Sequence, residues 1–352
     1  MLSPTTPIQK EYSRALNRMG WSMVLFVGLL YVCNVPAEML AMYTETVADP
    51  LRSSVLTVVS GILSTVAYMA PFIGAGVFYL FLSRKTVTQR MRLELTMPPR
   101  FPLLILAGMA VITAGSYLNA AFCALIGFSM PADSVITGDY SNPAGVINYM
   151  TTAIAPAFAE EFLFRGVYYT NLRPYGRTQA VLISALLFAL MHQNPAQIIY
   201  TFMAGVVMAM MYELTGSIWC SILFHLLNNE IAVIYEILVY DKYGEAAASV
   251  LGIMDGIALL LGCVAILLLY VFRNGKRAGK PARLGRGRRK LRESREVPPY
   301  DGEARIRDKA VAALSSWRAL TTPGMVVFTS VSTAFMLLLW VSALITNAMG
   351  GS

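Results

Sequence analysis

The chain has 352 residues, of which 56% are apolar and only 14% are Asp, Glu, Lys or Arg, where a soluble domain carries about a quarter charged residues. That deficit excludes an ordinary water-soluble enzyme. The formal charge of +8 is spread between apolar runs and does not form one basic face, so it points to membrane lipids as partners and no nucleic acid is expected.

In chain order, apolar runs long enough to span a bilayer extend over Met19–Met42, Val55–Leu82, Phe101–Phe128, Val146–Tyr168, Trp219–Tyr240, Val250–Phe272 and Val326–Ile345. Two shorter runs, Gln179–Met191 and Ile198–Leu214, are separated by Asn194 and Pro195 and read as a tight helical pair or as partly re-entrant elements. The predicted fold is therefore all-α and polytopic, with nine transmembrane helices, or eight, around a polar intramembrane active site. Lys10, Arg14 and Arg18, the group Arg84 to Arg100, Arg173 with Arg177, and the residues from Arg273 onward fall on one side of this arrangement. Glu45, Asp49, Asp133, Asp139, Asp241 and Glu245 fall on the other, with Arg52 and Lys242 as the exceptions. By the positive-inside rule the N-terminus is cytoplasmic and the C-terminus outside. No compact signal peptide precedes the first run, which is expected to stay as an anchor.

Four segments follow from these patterns: N-terminal membrane helices and a cytoplasmic loop over 1–100, a membrane core over 101–272, a basic flexible cytoplasmic loop over 273–322, and an accessory membrane helix over 323–352. The basic loop is too polar and too rich in Gly, Pro and like charge to form a core. Cys33, Cys123, Cys220 and Cys263 each lie in an apolar run without paired spacing and read as buried thiols.

Polar residues inside the apolar runs carry the functional signal. Glu160, Glu161 and Arg165 interrupt one span, and intramembrane charges are costly unless they are paired or hydrated. Glu161 and Arg165 are four residues apart, so they share a helix face and form an ion pair in the favourable order. Glu160 points about 100° away from Glu161, which leaves one acid structural and one free to work. The only two histidines are His192, four after Phe188, and His225, four before Asn229. A carboxylate and an imidazole hold and deprotonate a water, while a second imidazole and a carboxamide donate to the oxygen that gains charge when an amide carbonyl is attacked. A zinc site built on Glu160, His192 and His225, a proton-coupled transporter and a noncatalytic scaffold remain as alternatives.

The three motifs, EExxxR at Glu160, Glu161 and Arg165, FxxxH at Phe188 and His192, and HxxxN at His225 and Asn229, resemble those of the CAAX protease and bacteriocin-processing family of intramembrane glutamate endopeptidases. The resemblance covers roughly 146–240. It implies a metal-independent endopeptidase without cofactor that acts through water and forms no acyl-enzyme. In it Glu160 is the general base, His192 orients water, and His225 with Asn229 stabilises the oxyanion, while Glu161, Arg165 and Phe188 support the site. The implied substrate is a membrane-associated peptide or protein, prenylated or not. Composition leans towards a bacterial plasma membrane.

Overall fold

The computed structural model describes residues 7–84, 91–128, 143–236, 245–278 and 321–350, and among them every regular element is helical. Backbone polar groups in hydrocarbon must be satisfied within the segment, which a helix does. In chain order these are α1 (Pro7–Glu45), α2 (Pro50–Ser83), α3 (Phe101–Leu125), a composite helix α4 (143–172), α5 (Arg177–Met191), α6 (Ile198–Thr215), α7 (Ile218–Glu236), α8 (Glu245–Ala278) and α9 (Pro323–Gly350).

Six of these, α1, α2, α3, α6, α8 and α9, are long and apolar enough to cross a membrane, where the sequence pattern predicts eight or nine. The difference lies in α4, α5 and α7. Helix α5 has 15 residues and at 1.5 Å per residue reaches about 22 Å, short of a hydrocarbon core about 30 Å thick. The apolar part of α7, Ile218–Ile234, is also short.

Helix α4 is not a uniform α-helix. It is α-helical over Pro143–Tyr149, widens to a π-helix over Met150–Ile154, returns to α over Ala155–Glu161 and widens again over Phe162–Tyr169. Pro156 supplies a cause for the first widening. It has no N–H to give the carbonyl four residues back, and just before it the Ala155 N–H bonds to Met150 O, five residues back. Glu160 and Glu161 thus stand on a short α stretch between two π stretches, a form of irregularity common at functional sites.

Local signals set the neighbouring ends. The Asp49 carboxylate accepts from the Arg52 N–H at 2.7 Å, with Pro50 at the first helical position of α2. Gly216 closes α6 at φ +73°, a left-handed conformation that glycine takes without a Cβ clash and that lets α7 start at once.

Helix α1 pairs with α2, α9 lies along α1, α3 packs on α6 and α8, and α5 packs on α6. At the α1–α9 contact a Cβ on Gly20 would fall on the backbone of Gly324 and Met325. There the Gly324 N–H donates to Asn17 Oδ1 at 2.8 Å and Tyr31 stacks on Phe335, while further along α9 Trp340 Nε1 donates to Ile126 O at the end of α3 at 2.9 Å. The last helix carries no charge into the site but is docked closely on the first.

The cysteine expectation needs correction. All four are free, yet only Cys220 is buried; Cys33 and Cys123 are half-buried and Cys263 is exposed. In a helix that meets lipid, an apolar run covers the outward face as well as the packed one, so membership of the run does not imply burial. Most of the basic stretch, from residue 279, and Asp133, Asp139 and Asp241 lie outside the described residues.

The Gly20–Gly324 approach leaves no room for a side chain. Gly20→Val is expected to destabilise the protein by about 2 kcal/mol, the scale of overpacking, read as a lowered Tm in detergent. An unchanged Tm would contradict backbone contact between α1 and α9.

Candidate active site

The polar centre is built from α4, α5 and α7, with help from α2. Glu161 and Arg165, both with no exposed surface, are joined at 2.7 Å between Glu161 Oε1 and Arg165 Nη1. Arg165 Nη2 also donates to Gly205 O on α6 at 2.9 Å. This bond depends on the close α5–α6 packing, where a Cβ on Gly205 would stand 2.9 Å from Ala185 Cα. The guanidinium lies 4.8 Å from the centre of the Phe188 ring, a cation–π contact. Glu161 is served in turn by the Ser221 hydroxyl on Oε2 at 2.5 Å and by His225 Nδ1 on Oε1 at 3.1 Å. Both of its oxygens are engaged, and paired this way it is an acceptor only.

That pairing orients His225. With Nδ1–H donated to Glu161, the ring turns Nε2 towards Glu160 Oε2, 3.8 Å away. This is too long for a direct hydrogen bond and short enough for a shared water. The other oxygen of Glu160 accepts a short hydrogen bond from the Tyr68 hydroxyl of α2. Glu160 is 3% exposed and His225 4%, so the two carboxylates flank a single buried imidazole. No ion pair joins Glu160 to Arg165 within 4 Å among the described residues, as their separation around the helix requires.

His192 sits at the C-terminus of α5, immediately past Met191. Its Nδ1 lies 2.9 Å from Phe188 O, and because a carbonyl only accepts, Nδ1 carries the hydrogen and Nε2 the lone pair. The Phe188 ring meets both imidazoles edge to face, with centroids 5.1 Å from His192 and 6.0 Å from His225. A cavity of about 310 Å³ is bounded by Phe188, His192, His225, Asn228 and Asn229. The Asn229 amide donates to Ala153 O at 3.2 Å, in the first π stretch of α4. It thereby ties α7 to the widened turn. Among the described residues no three His, Cys, Asp or Glu side chains group as a metal ligand set.

Several contributors were not singled out from the sequence. Tyr68 lies 92 positions from Glu160, and nothing in its own span marks it. Ser221 was legible in principle, since Ser221, His225 and Asn229 recur at intervals of four on one face of α7. Asn119 of α3 positions the loop after His192: its Oδ1 accepts from Ile199 N at 3.0 Å and Tyr200 N at 3.4 Å, and its amide donates to Ala196 O. These bonds satisfy open N–H groups at the start of α6. At the other end of the core, Glu213 receives Arg173 at 2.8 and 2.7 Å through both carboxylate oxygens and also Tyr169. Arg173, read from sequence only as a topology signal, thus pins the end of α4 to α6.

Residues 142–231 match the family model described as type II CAAX prenyl endopeptidase Rce1-like, consistent with the CAAX protease and bacteriocin-processing resemblance carried by the three motifs. No curated protein and no solved structure matches the chain. The matched segment begins just before α4 and ends within α7, so it contains both carboxylates, both histidines and Asn229. With six helices among the described residues long and apolar enough to cross a bilayer, the chain is an integral membrane protein.

Breaking a buried ion pair leaves an uncompensated charge, at a cost of about 3–5 kcal/mol. Glu161→Gln is therefore expected to destabilise by that amount in detergent unfolding, whereas Glu161→Gln combined with Arg165→Met loses much less than the sum of the single changes. Additive losses in the double-mutant cycle would contradict direct coupling of the two.

Proposed function

We propose that this protein is a CAAX-type intramembrane endopeptidase that hydrolyses a peptide bond of a membrane-associated peptide or protein with a water activated by Glu160. The observation that carries the reading is the placement of Glu160: buried, held on one oxygen by Tyr68, and facing His225 Nε2 with the other at a separation that a water bonded to both would bridge. The match of 142–231 to a prenyl endopeptidase family supports the reaction class.

In this reading Glu160 takes a proton from water as the oxygen attacks the scissile carbonyl carbon. His192, with its Nε2 lone pair, accepts the water's other hydrogen and fixes the direction of attack. The carbonyl oxygen becomes an oxyanion, and His225 Nε2–H, released from the water as that water attacks, and the Asn229 amide donate to it. For that task His225 carries hydrogen on both nitrogens, one turned to Glu161 and one to the oxyanion, and the flanking carboxylates offset its charge. The tetrahedral intermediate then expels the amine, which receives the proton held by Glu160. The products are a new carboxylic acid, which keeps the water's second hydrogen until it ionises into solvent, and a new amine, and no acyl-enzyme forms. Glu161, Arg165 and Phe188 position these groups without touching the substrate.

The remaining assignments belong to the same proposal. The catalytic core is taken as 101–272, the basic 273–322 stretch as a cytoplasmic loop, and the membrane as a bacterial plasma membrane with the N-terminus inside. The N-terminal helices contribute to the site through Tyr68. Glu160→Gln keeps the size and the Tyr68 contact but cannot take the proton. Mass spectrometry of a panel of membrane peptides and prenylated peptides is expected to show wild-type cleavage and at least 10³-fold slower turnover by the variant, in the range that general bases contribute. Turnover retained by a folded variant would overturn the assignment.

A further inference from the structure

A second cavity, of about 570 Å³, lies beside the candidate site between α3, α6, α7 and α8. It shares Tyr200, Asn228 and Ala232 with the smaller cavity that holds His192 and His225. The shared wall is a reciprocal pair: the Tyr200 hydroxyl donates to Asn228 Oδ1 at 3.0 Å and accepts from Asn228 Nδ2 at 2.8 Å. Most of the lining is apolar, Met109, Ile112, Met254 and Ala258 included, and Asn119, Asn228 and Asp255 also face it. Asp255 accepts from Tyr117 at 3.0 Å.

We infer that this second cavity is a substrate subsite, holding an unwound apolar stretch of polypeptide next to the bond that is cut, with the Tyr200–Asn228 pair as the partition through which that stretch meets the site. The inference rests on the endopeptidase reading above and adds where the substrate lies and what it is. The mixed lining selects the occupant. A hydrocarbon chain has no use for hydrogen-bonding walls, whereas a peptide unwound at membrane depth bares N–H and C=O groups that must find partners. Its apolar side chains fit against the methionines. The Tyr200 and Asn228 side chains satisfy each other when the cavity is empty and are placed to exchange those bonds for bonds to the peptide backbone. Asn228 precedes Asn229 on α7, so the partition and the proposed oxyanion donor belong to one helical turn.

The test uses the full-length protein in nanodiscs and a membrane peptide bearing one photoreactive apolar side chain beside its scissile bond. With the Glu160→Gln protein, crosslinks located by mass spectrometry are expected on Met109, Met254 or Ala258. Ala258→Trp, which fills the cavity away from the site, is expected to abolish those crosslinks. In a protein that retains Glu160, the same change should lower kcat/KM for the membrane peptide, relative to a short peptide spanning only the scissile bond, at least tenfold and through KM. Crosslinks confined to other surfaces, or an unchanged ratio, would overturn the subsite. Displacement of the crosslinks by added free fatty chains but not by unlabelled peptide would overturn the peptide occupant. If the wild-type protein cuts nothing, the endopeptidase reading fails, and the crosslinks still decide by themselves whether a peptide occupies the cavity.

Discussion

The structure depends on keeping a guanidinium and a carboxylate together where neither is exposed to solvent. Isolated, either charge would cost several kilocalories per mole to hold in a low-dielectric interior. The chain meets this cost with geometry. Arg165 is shared between Glu161, the Gly205 carbonyl and the Phe188 face, and Glu161 between Arg165, Ser221 and His225. Together those contacts draw in three further helices, Gly205 on α6, Phe188 on α5 and Ser221 with His225 on α7, so satisfying one ion pair brings α4, α5, α6 and α7 to a common point. Gly205 is part of the same solution, because α6 must come close for its carbonyl to be reached.

From this constraint the orientation of the site follows. An ionised Glu161 accepts the Nδ1 hydrogen of His225, which directs Nε2 to Glu160. The Phe188 carbonyl plays the corresponding part for His192 and leaves its Nε2 as an acceptor. Both imidazoles thereby keep a hydrogen on Nδ1, held by a side-chain carboxylate in one and a backbone carbonyl in the other, and each presents its second nitrogen for chemistry. Tyr68 holds the second carboxylate from a helix outside the segment that matches the family model. The π stretches of α4 have a related consequence: the Ala153 carbonyl in the first of them accepts from Asn229, so the irregular turn becomes part of the positioning of α7.

Much of this was legible in the sequence because it is local. A spacing of four on one helix is a statement about a shared face, and it located the Glu161–Arg165 pair and the grouping of His225 with Asn229 before any tertiary contact was known. The helical class followed from apolar run lengths. Tyr68 was not legible, since a hydroxyl in an apolar span acquires meaning only from a partner 92 residues away. The same holds for Asn119, which joins α3 to the start of α6. The span count is less legible, because α5 stops at His192 and α4 departs from α geometry around Pro156. The cysteines were misjudged because an apolar residue in a membrane helix has two apolar places to face.

A buried carboxylate on one side and a backbone carbonyl on the other fix both histidines with hydrogen on Nδ1. The chain contains only two histidines, so a protein labelled with ¹⁵N in its imidazoles gives two sets of ring signals. Nitrogen-15 NMR of the labelled protein in nanodiscs is expected to show a protonated Nδ1 on both rings, and Glu161→Gln is expected to alter the signals of one ring while leaving the other in place. A resting state in which either ring carries its only hydrogen on Nε2 would contradict the account, because Glu161 and the Phe188 carbonyl would then face a nitrogen with nothing to donate.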